Sequence, residues 1–297
     1  DRFLASRVAG TGLGVTFADL EAAPQVLLVA FEPEDEAGNV FLRLRKGVLA
    51  TKVAVTTLAP FATRGSLKLR ANVILTSPGR EASVLRELDS ELVEALKAAG
   101  SVILVGERAA ASPGALTAVA ELADATGARF AWIPRRAGER GAVDAGALPH
   151  LLPGGRPVTD AAARIDASAV WANADIPSDP GRDLPAILAA LASGELGGVM
   201  VGGVDVRDLP EPDLAREALQ SARFVVQLEV RRSELTEYAD VVLPVAPPME
   251  KAGTFINWEG RLRPFGQVMV SRSVPDRKVL HQLAEEMGFD LGLERLA

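Results

Sequence analysis

Eight short apolar runs, most of them separated by helical patterns, constrain this chain more than any other feature. They are Val26–Phe31, Val53–Thr57, Asn72–Thr76, Ser101–Val105, Arg129–Ile133, Gly198–Gly202, Arg223–Leu228 and Asp240–Val245. Most are apolar throughout rather than alternating, the pattern of strands covered on both faces. The helical patterns fall at Asn39–Leu49, Arg80–Ala99, Pro113–Thr126, Leu184–Ser193, Pro212–Ser221 and Asp276–Met287. Ser112–Pro113 predicts a helix start, with a capping hydroxyl and a proline in the first turn. Gly100, Gly127 and Gly194 stand where glycine ends a helix. Repeated strand–helix–strand order predicts an α/β fold of doubly wound, mostly parallel sheets built from Rossmann-like βαβ units.

Three portions are expected. Residues 1–100 hold a first βαβ portion that continues a domain begun upstream, residues 101–270 a second Rossmann-like portion, and residues 271–297 a C-terminal helix and tail. An irregular stretch, Pro134–Pro157, is long for a compact domain and carries Arg135, Arg136, Arg140 and Arg156. It reads either as a solvated loop or as a surface whose arginines pair with carboxylates of a neighbouring subunit.

Composition excludes several classes. A net charge of −7 argues against a nucleic-acid binder, which needs a basic face to neutralise phosphates. Cysteine is absent, so disulfides, iron–sulfur ligation and a cysteine nucleophile are excluded within this chain. The two histidines, His150 and His281, lie far apart and are expected to be structural; a His-rich metal site is excluded. No uncharged apolar run approaches the roughly 18–20 residues that span a bilayer, so no direct membrane insertion is expected. The chain opens on Asp1 rather than methionine and reads as a soluble piece of something longer.

Ligands of open α/β sheets bind past the carboxyl ends of strands, where glycine lets backbone N–H groups approach a phosphate. Three turns occupy such places. Val29–Glu36 has no glycine and concentrates Glu32, Glu34, Asp35 and Glu36, which repel a pyrophosphate. Val105–Arg108 has the single Gly106. In Gly202–Asp208, Gly202 and Gly203 permit close approach, and Asp205 offers acceptors to a ribose or a guanine edge. No nucleophile elbow or P-loop occurs, and Ser233, Ser271 and Ser273 have no histidine near them in sequence.

The last strand candidate follows a short helical turn, Ser233–Ala239, and leads into a proline-stopped, glycine-punctuated polar loop. The whole stretch Ala239–Phe265 reads ADVVLPVAPPMEKAGTFINWEGRLRPF. Its position past a strand end makes it a candidate site. Glu250 and Glu259 allow an acid/base pair in space. They equally allow loop carboxylates that accept hydrogen bonds from backbone or from Arg261 and Arg263. Phe255 and Trp258 are expected to anchor the loop.

The pattern ADVVLP … E-x-x-GT-x-x-N-x-EGR resembles a segment of the molybdopterin oxidoreductase superfamily. With Lys251, Phe255, Trp258 and Arg263–Pro264–Phe265 it is most similar to the G-subunit family of bacterial NADH-quinone oxidoreductase, respiratory complex I. The resemblance extends more weakly from about Leu13 to the end. Molybdenum enzymes of the superfamily carry G-x-N-P-like turns in two of these loops, cradling the guanine dinucleotide arms of their cofactor. Here Ala30 and Glu32 stand in the glycine and asparagine places of the first. The third keeps Gly203 but has Asp205 and Val206 for Asn-Pro. Those departures match the complex I relatives, whose domain has lost the cofactor.

The resemblance therefore implies a non-catalytic structural domain of an electron-transport complex of the respiratory chain, with no catalytic residue, metal ligand or cofactor of its own. Its degenerate pocket would be walled by Gly202, Gly203, Asp205, Glu250, Gly253 and Thr254. The parent enzyme passes electrons from NADH to quinone. Iron–sulfur clusters are expected in the missing N-terminal part of the parent subunit. The implied partners are other peripheral-arm subunits, on the cytoplasmic side of the cell membrane. Two alternatives remain: a cofactor-binding fragment of a formate dehydrogenase-like molybdenum oxidoreductase, and a plain nucleotide-binding module using Gly202–Asp205.

Overall fold

Each of the eight apolar runs forms a strand in the computed structural model, which describes residues 1–172, 175–270 and 272–292. β1 (Gln25–Val29), β2 (Ala54–Ala59), β3 (Asn72–Leu75), β4 (Val102–Gly106) and β5 (Arg129–Ile133) make one parallel sheet in the order β3-β2-β1-β4-β5. The order reverses between β1 and β4, the topological switch point at which such sheets take ligands. β1 is buried at every position because helices cover both faces. Val26 and Leu28 join one core cluster with Leu20 and Leu44, while Leu27 and Val29 join another with Leu96 and Val119. That division follows from the two-residue period of a strand.

A short antiparallel ribbon pairs β6 (Leu151–Leu152) with β7 (Arg156–Pro157). β8 (Gly198–Gly202), β9 (Phe224–Glu229) and β10 (Val241–Pro244) form a second parallel sheet, ordered β10-β9-β8. The helices Leu184–Ala192 and Pro212–Ser221 pack on it through Leu188, Leu191, Ala215 and Leu219, around Val225. β10 lies at the edge, so Pro244 ends it without breaking an inner ladder. β11 (Gly253–Ile256) and β12 (Leu262–Phe265) form a ribbon within the stretch that reads as polar loop. Both strands are largely exposed, so they lack the apolar signature of the other eight.

The chain forms two compact units. The first comprises Asp1–Ala147, Leu151–Pro157 and Phe255–Arg263; the second comprises Leu148–His150, Val158–Thr254 and Pro264–Ala297. The first sheet runs across residue 100, where the sequence suggests a division, because β4 inserts beside β1 rather than opening a new sheet.

Three local readings are corrected. The pattern Arg80–Ala99 is two helices, Glu81–Arg86 and Ser90–Leu96, the second capped by Asp89, whose carboxylate accepts from the Leu92 N–H at 2.7 Å. The helix expected from Pro113 begins at Ala115 behind Gly114 in left-handed backbone (φ 79°), and the Ser112 hydroxyl is buried without a partner rather than capping. Helices Glu139–Asp144 and Ala161–Trp171 stand where none was expected. The alanine-rich second one buries only Ala163 and Ala167, which leaves little apolar period to read.

Candidate functional site

The loops after β1 and β4 meet at the switch point of the first sheet. Glu32 caps the turn Pro33–Glu36, its carboxylate accepting from the Glu34 N–H at 3.3 Å. The Glu36 carboxylate accepts from the Glu32 N–H at 3.1 Å and from the guanidinium of Arg108, which belongs to the loop after β4. Glu34 pairs with Lys68. Gly106 closes β4 hard against the β1 loop: a Cβ there would stand 2.2 Å from the Ala30 carbonyl oxygen. The glycine thus serves contact between two loops of the chain. One Glu36 oxygen, Oε2, is buried without a hydrogen bond. Beside these loops, Glu107 accepts from the Arg135 N–H at 3.2 Å. Burial, reinforced by the charge of Glu107, holds Glu139 above the usual carboxylate range.

The turn after β8 is closed differently. A Cβ on Gly202 would meet nothing nearer than 3.8 Å, so space does not require glycine there. Gly203 turns at φ 64°, and its N–H donates to the Leu228 carbonyl at 3.2 Å. The Asp205 carboxylate accepts from the Arg207 backbone N–H and Nε, each at 3.1 Å, and from Nη2 at 2.8 Å. Those hydrogen bonds, with the charges of Arg207 and Arg231, lower the Asp205 pKa to about 2.

Glu250, Gly253 and Thr254 follow β10. Glu250 ends a helical turn, Lys251 pairs with Asp276, and Thr254 is exposed. Gly253 lies under Phe265, where a Cβ would stand 2.7 Å from Cζ. Among the described residues no hydrogen bond or ion pair joins these three to Gly202, Gly203 and Asp205.

Glu259 holds the most enclosed carboxylate of the stretch, with the residue only 2% exposed. It accepts from the Phe17 N–H at 3.0 Å and Asn257 Nδ2 at 2.9 Å, with Arg261 at 3.4 Å and Arg263 at 3.8 Å. Glu250 is not among its partners. The Phe17 N–H is one of the first-turn donors that the helix Phe17–Ala22 cannot satisfy itself. The Glu259 carbonyl accepts from the Gly14 N–H at 2.9 Å, and Trp258 meets Phe17 edge-on at 5.1 Å. Gly260, at φ 90°, leaves a Cβ position only 2.0 Å from the Gly12 carbonyl oxygen. The EGR motif is thus a clasp on the N-terminal segment of the first unit.

The other candidates are placed as follows. Arg140 is buried, bonded to Asp144 at 3.2 Å, the Thr11 hydroxyl at 3.1 Å and the Gly12 carbonyl at 3.4 Å. This removes it from the docking arginines, whereas Arg135 and Arg136 are exposed. His281 is buried beside Glu285 at 3.6 Å, and the His150 carbonyl accepts from the Val158 N–H at 2.9 Å. Ser271 lies outside the described residues. Among the described residues no group of three or more His, Cys, Asp or Glu is placed to hold a metal ion, and no helix is long and apolar enough to cross a membrane.

Parallel sheets with ligand-type turns at their strand ends, followed by the EGR ribbon, define a class. The chain belongs to the molybdopterin oxidoreductase family, whose sequence profile matches residues 3–285. Within it, the chain is 52% identical over 296 residues to the NADH-quinone oxidoreductase G subunit of Mycobacterium bovis, covering 98% of this chain and 37% of that protein. The corresponding G subunit of Streptomyces coelicolor is 51% identical over 303 residues, covering 97% and 36%. The chain therefore spans a little over a third of these relatives. Among solved structures, the formyltransferase/hydrolase complex of Methylorubrum extorquens with methylofuran shares the fold. Its TM-score is 0.57 at 16% identity, over 96% of this chain and 80% of that one.

Proposed function

We propose that this chain is a non-catalytic structural domain of the G subunit of an NADH-quinone oxidoreductase, with a degenerate molybdopterin pocket. Similarity to two such G subunits over nearly the whole chain supports that assignment. The observation that carries the loss of the pocket is the Glu36–Arg108 pair, which ties the two loops at the switch point to each other. The residues do not fit the pyrophosphate of a guanine dinucleotide, which needs free backbone donors and positive charge. The first loop offers carboxylates, and its Glu32 N–H is engaged by Glu36. In the other turn the Gly203 N–H is engaged by Leu228, and Asp205 by Arg207. On this reading the iron–sulfur clusters of the parent lie outside this cysteine-free chain. The domain packs among peripheral-arm subunits on the cytoplasmic side of the membrane.

The test is metal analysis of the natively produced protein, together with thermal unfolding in guanine nucleotides. The expected results are molybdenum far below one atom per chain and an unchanged Tm. A ligand bound at about 100 times its Kd stabilises by about 2.7 kcal/mol, which a melt detects readily. Stoichiometric molybdenum, or a saturable rise in Tm, sinks the proposal in favour of a cofactor-binding fragment.

A further inference from the structure

The two edges of the first sheet are treated differently. β5 is flanked by the chain's own N-terminal segment. The Phe3 ring lies 5.7 Å from Phe130, and Arg129 binds the Gly14 carbonyl at 2.9 Å and Asp19 at 3.2 Å. β3, at the opposite edge, pairs with β2 on one side and with no strand of the described residues on the other. The Thr76 N–H donates to the Ala59 carbonyl in β2. Because amides alternate along a strand, Ile74 also faces β2, while the N–H and C=O of Val73 and Leu75 face outward. Natural edge strands are usually blunted by lysine, proline or a bulge. The sequence Asn-Val-Ile-Leu and the unbroken register of β3 contain none of these.

The segment between β2 and β3, with β3 itself, exposes apolar and basic side chains. Leu75 is 72% exposed, Phe61 64% and Leu67 68%. From Ala37 through Arg80, both included, there is no aspartate or glutamate but there are eight lysines and arginines, in a chain of net charge −7. Arg43 and Lys46 are committed to Glu21, and Lys68 to Glu34. Arg64 and Arg70, which bracket the helix leading into β3, are exposed and have no ion pair among the described residues.

We propose that the β3 edge docks an extended, carboxylate-bearing segment of another polypeptide, which adds a strand beside Asn72–Leu75. The outward amides select a strand rather than a helix, Leu75 and Phe61 reward apolar side chains, and Arg64 and Arg70 select acidic ones. A second copy of this chain fits badly, since pairing two β3 edges sets arginines against arginines. Four residues present two outward-facing pairs of backbone groups. The added strand is therefore short and depends on the apolar and charged contacts around it.

The proposal stands on the edge itself and not on the identity of the parent complex. The test places photoreactive benzoylphenylalanine at position 75 of the full chain, produced in its source organism, and maps the adduct by peptide mass spectrometry. The expected adduct joins a segment of a different polypeptide carrying apolar residues between carboxylates. Arg64→Glu with Arg70→Glu lowers its yield at least about fivefold. In parallel, the Val73 and Leu75 amides exchange at least about tenfold more slowly in the assembly than in the isolated chain. No adduct, an adduct only with a second copy, a yield indifferent to charge reversal, or unchanged exchange overturns the proposal. An adduct with a protein outside any respiratory complex keeps the docking edge and removes the functional reading above. A chain found in such a complex with its edge unlinked does the reverse.

Discussion

At the end of β1, the carboxylates of Glu34 and Glu36 are neutralised by Lys68 and Arg108, residues from other elements of the first unit. At the end of β8, Asp205 is neutralised by Arg207, two positions along the same turn. Both turns occupy the place where this fold type binds ligands, and both are closed by the chain's own side chains. The difference lies in what each closure touches. The first is tertiary: it joins the β1 loop to the β4 loop and rests on the tight passage of Gly106 under Ala30. The second is local: it lies within one turn, and its Arg207 side chain is exposed. On the proposed reading, two strand ends have given up the same duty by unrelated routes, one through packing and one through a three-residue chelate.

This contrast can be broken by experiment. Gly106→Ala forces a methyl into the Ala30 carbonyl and is expected to cost about 3 kcal/mol in urea unfolding, whereas Gly202→Ala costs no more than about 0.5 kcal/mol. Equal costs would erase the distinction. Arg108→Ala strands Glu36, which already has one buried oxygen without a partner, and should cost about 2 kcal/mol. Gly203→Ala holds a side chain at positive φ and should cost about 1 kcal/mol. Arg207→Ala should lower the urea midpoint at neutral pH only slightly, the smallest loss of the series, because the Arg207 side chain is exposed and its pairing is screened.

The smallest effect is in pH. The Asp205 pKa is lowered to about 2 in the fold, so its contribution is present above the unfolded aspartate value. It is lost as pH falls through the folded one. Carboxyl NMR should place the Asp205 midpoint near 2, and Arg207→Ala should raise it toward, but not fully to, the free value of roughly 3.9, because the backbone N–H at 207 and the Arg231 charge remain. A midpoint unmoved by that substitution would mean that the chelate does not exist in solution.

The eight strands were legible because each is a continuous apolar run, and buried parallel strands need little else to declare themselves. The pairing of these strands was less so: nothing local in Val102–Gly106 states that it joins β1 rather than a new sheet. Ala161–Trp171 was missed because an alanine face buries too little area to set a period. Proline after Ser112 promised a cap, yet Gly114 took the turn and left the hydroxyl inside. At the candidate site, the carboxylates of the β1 loop announced themselves in the sequence. Their partners did not, since Arg108 lies 72 residues from Glu36. Glu259 could be read as a loop carboxylate with Arg261 and Arg263 at hand, but its reach to Phe17 is purely a matter of the fold.

The clasp at Glu259 also sets a timetable. The Phe17 N–H and the carboxylate that receives it are separated by 242 residues, and Phe255–Arg263 belongs to the first unit although most of the second precedes it in the chain. Contacts of such span form slowly because a long loop must close before they return any energy. On the ribosome the first sheet therefore stays an unfinished object while the residues between Phe17 and Glu259 are translated. It receives its last side chains only after residue 263 has emerged.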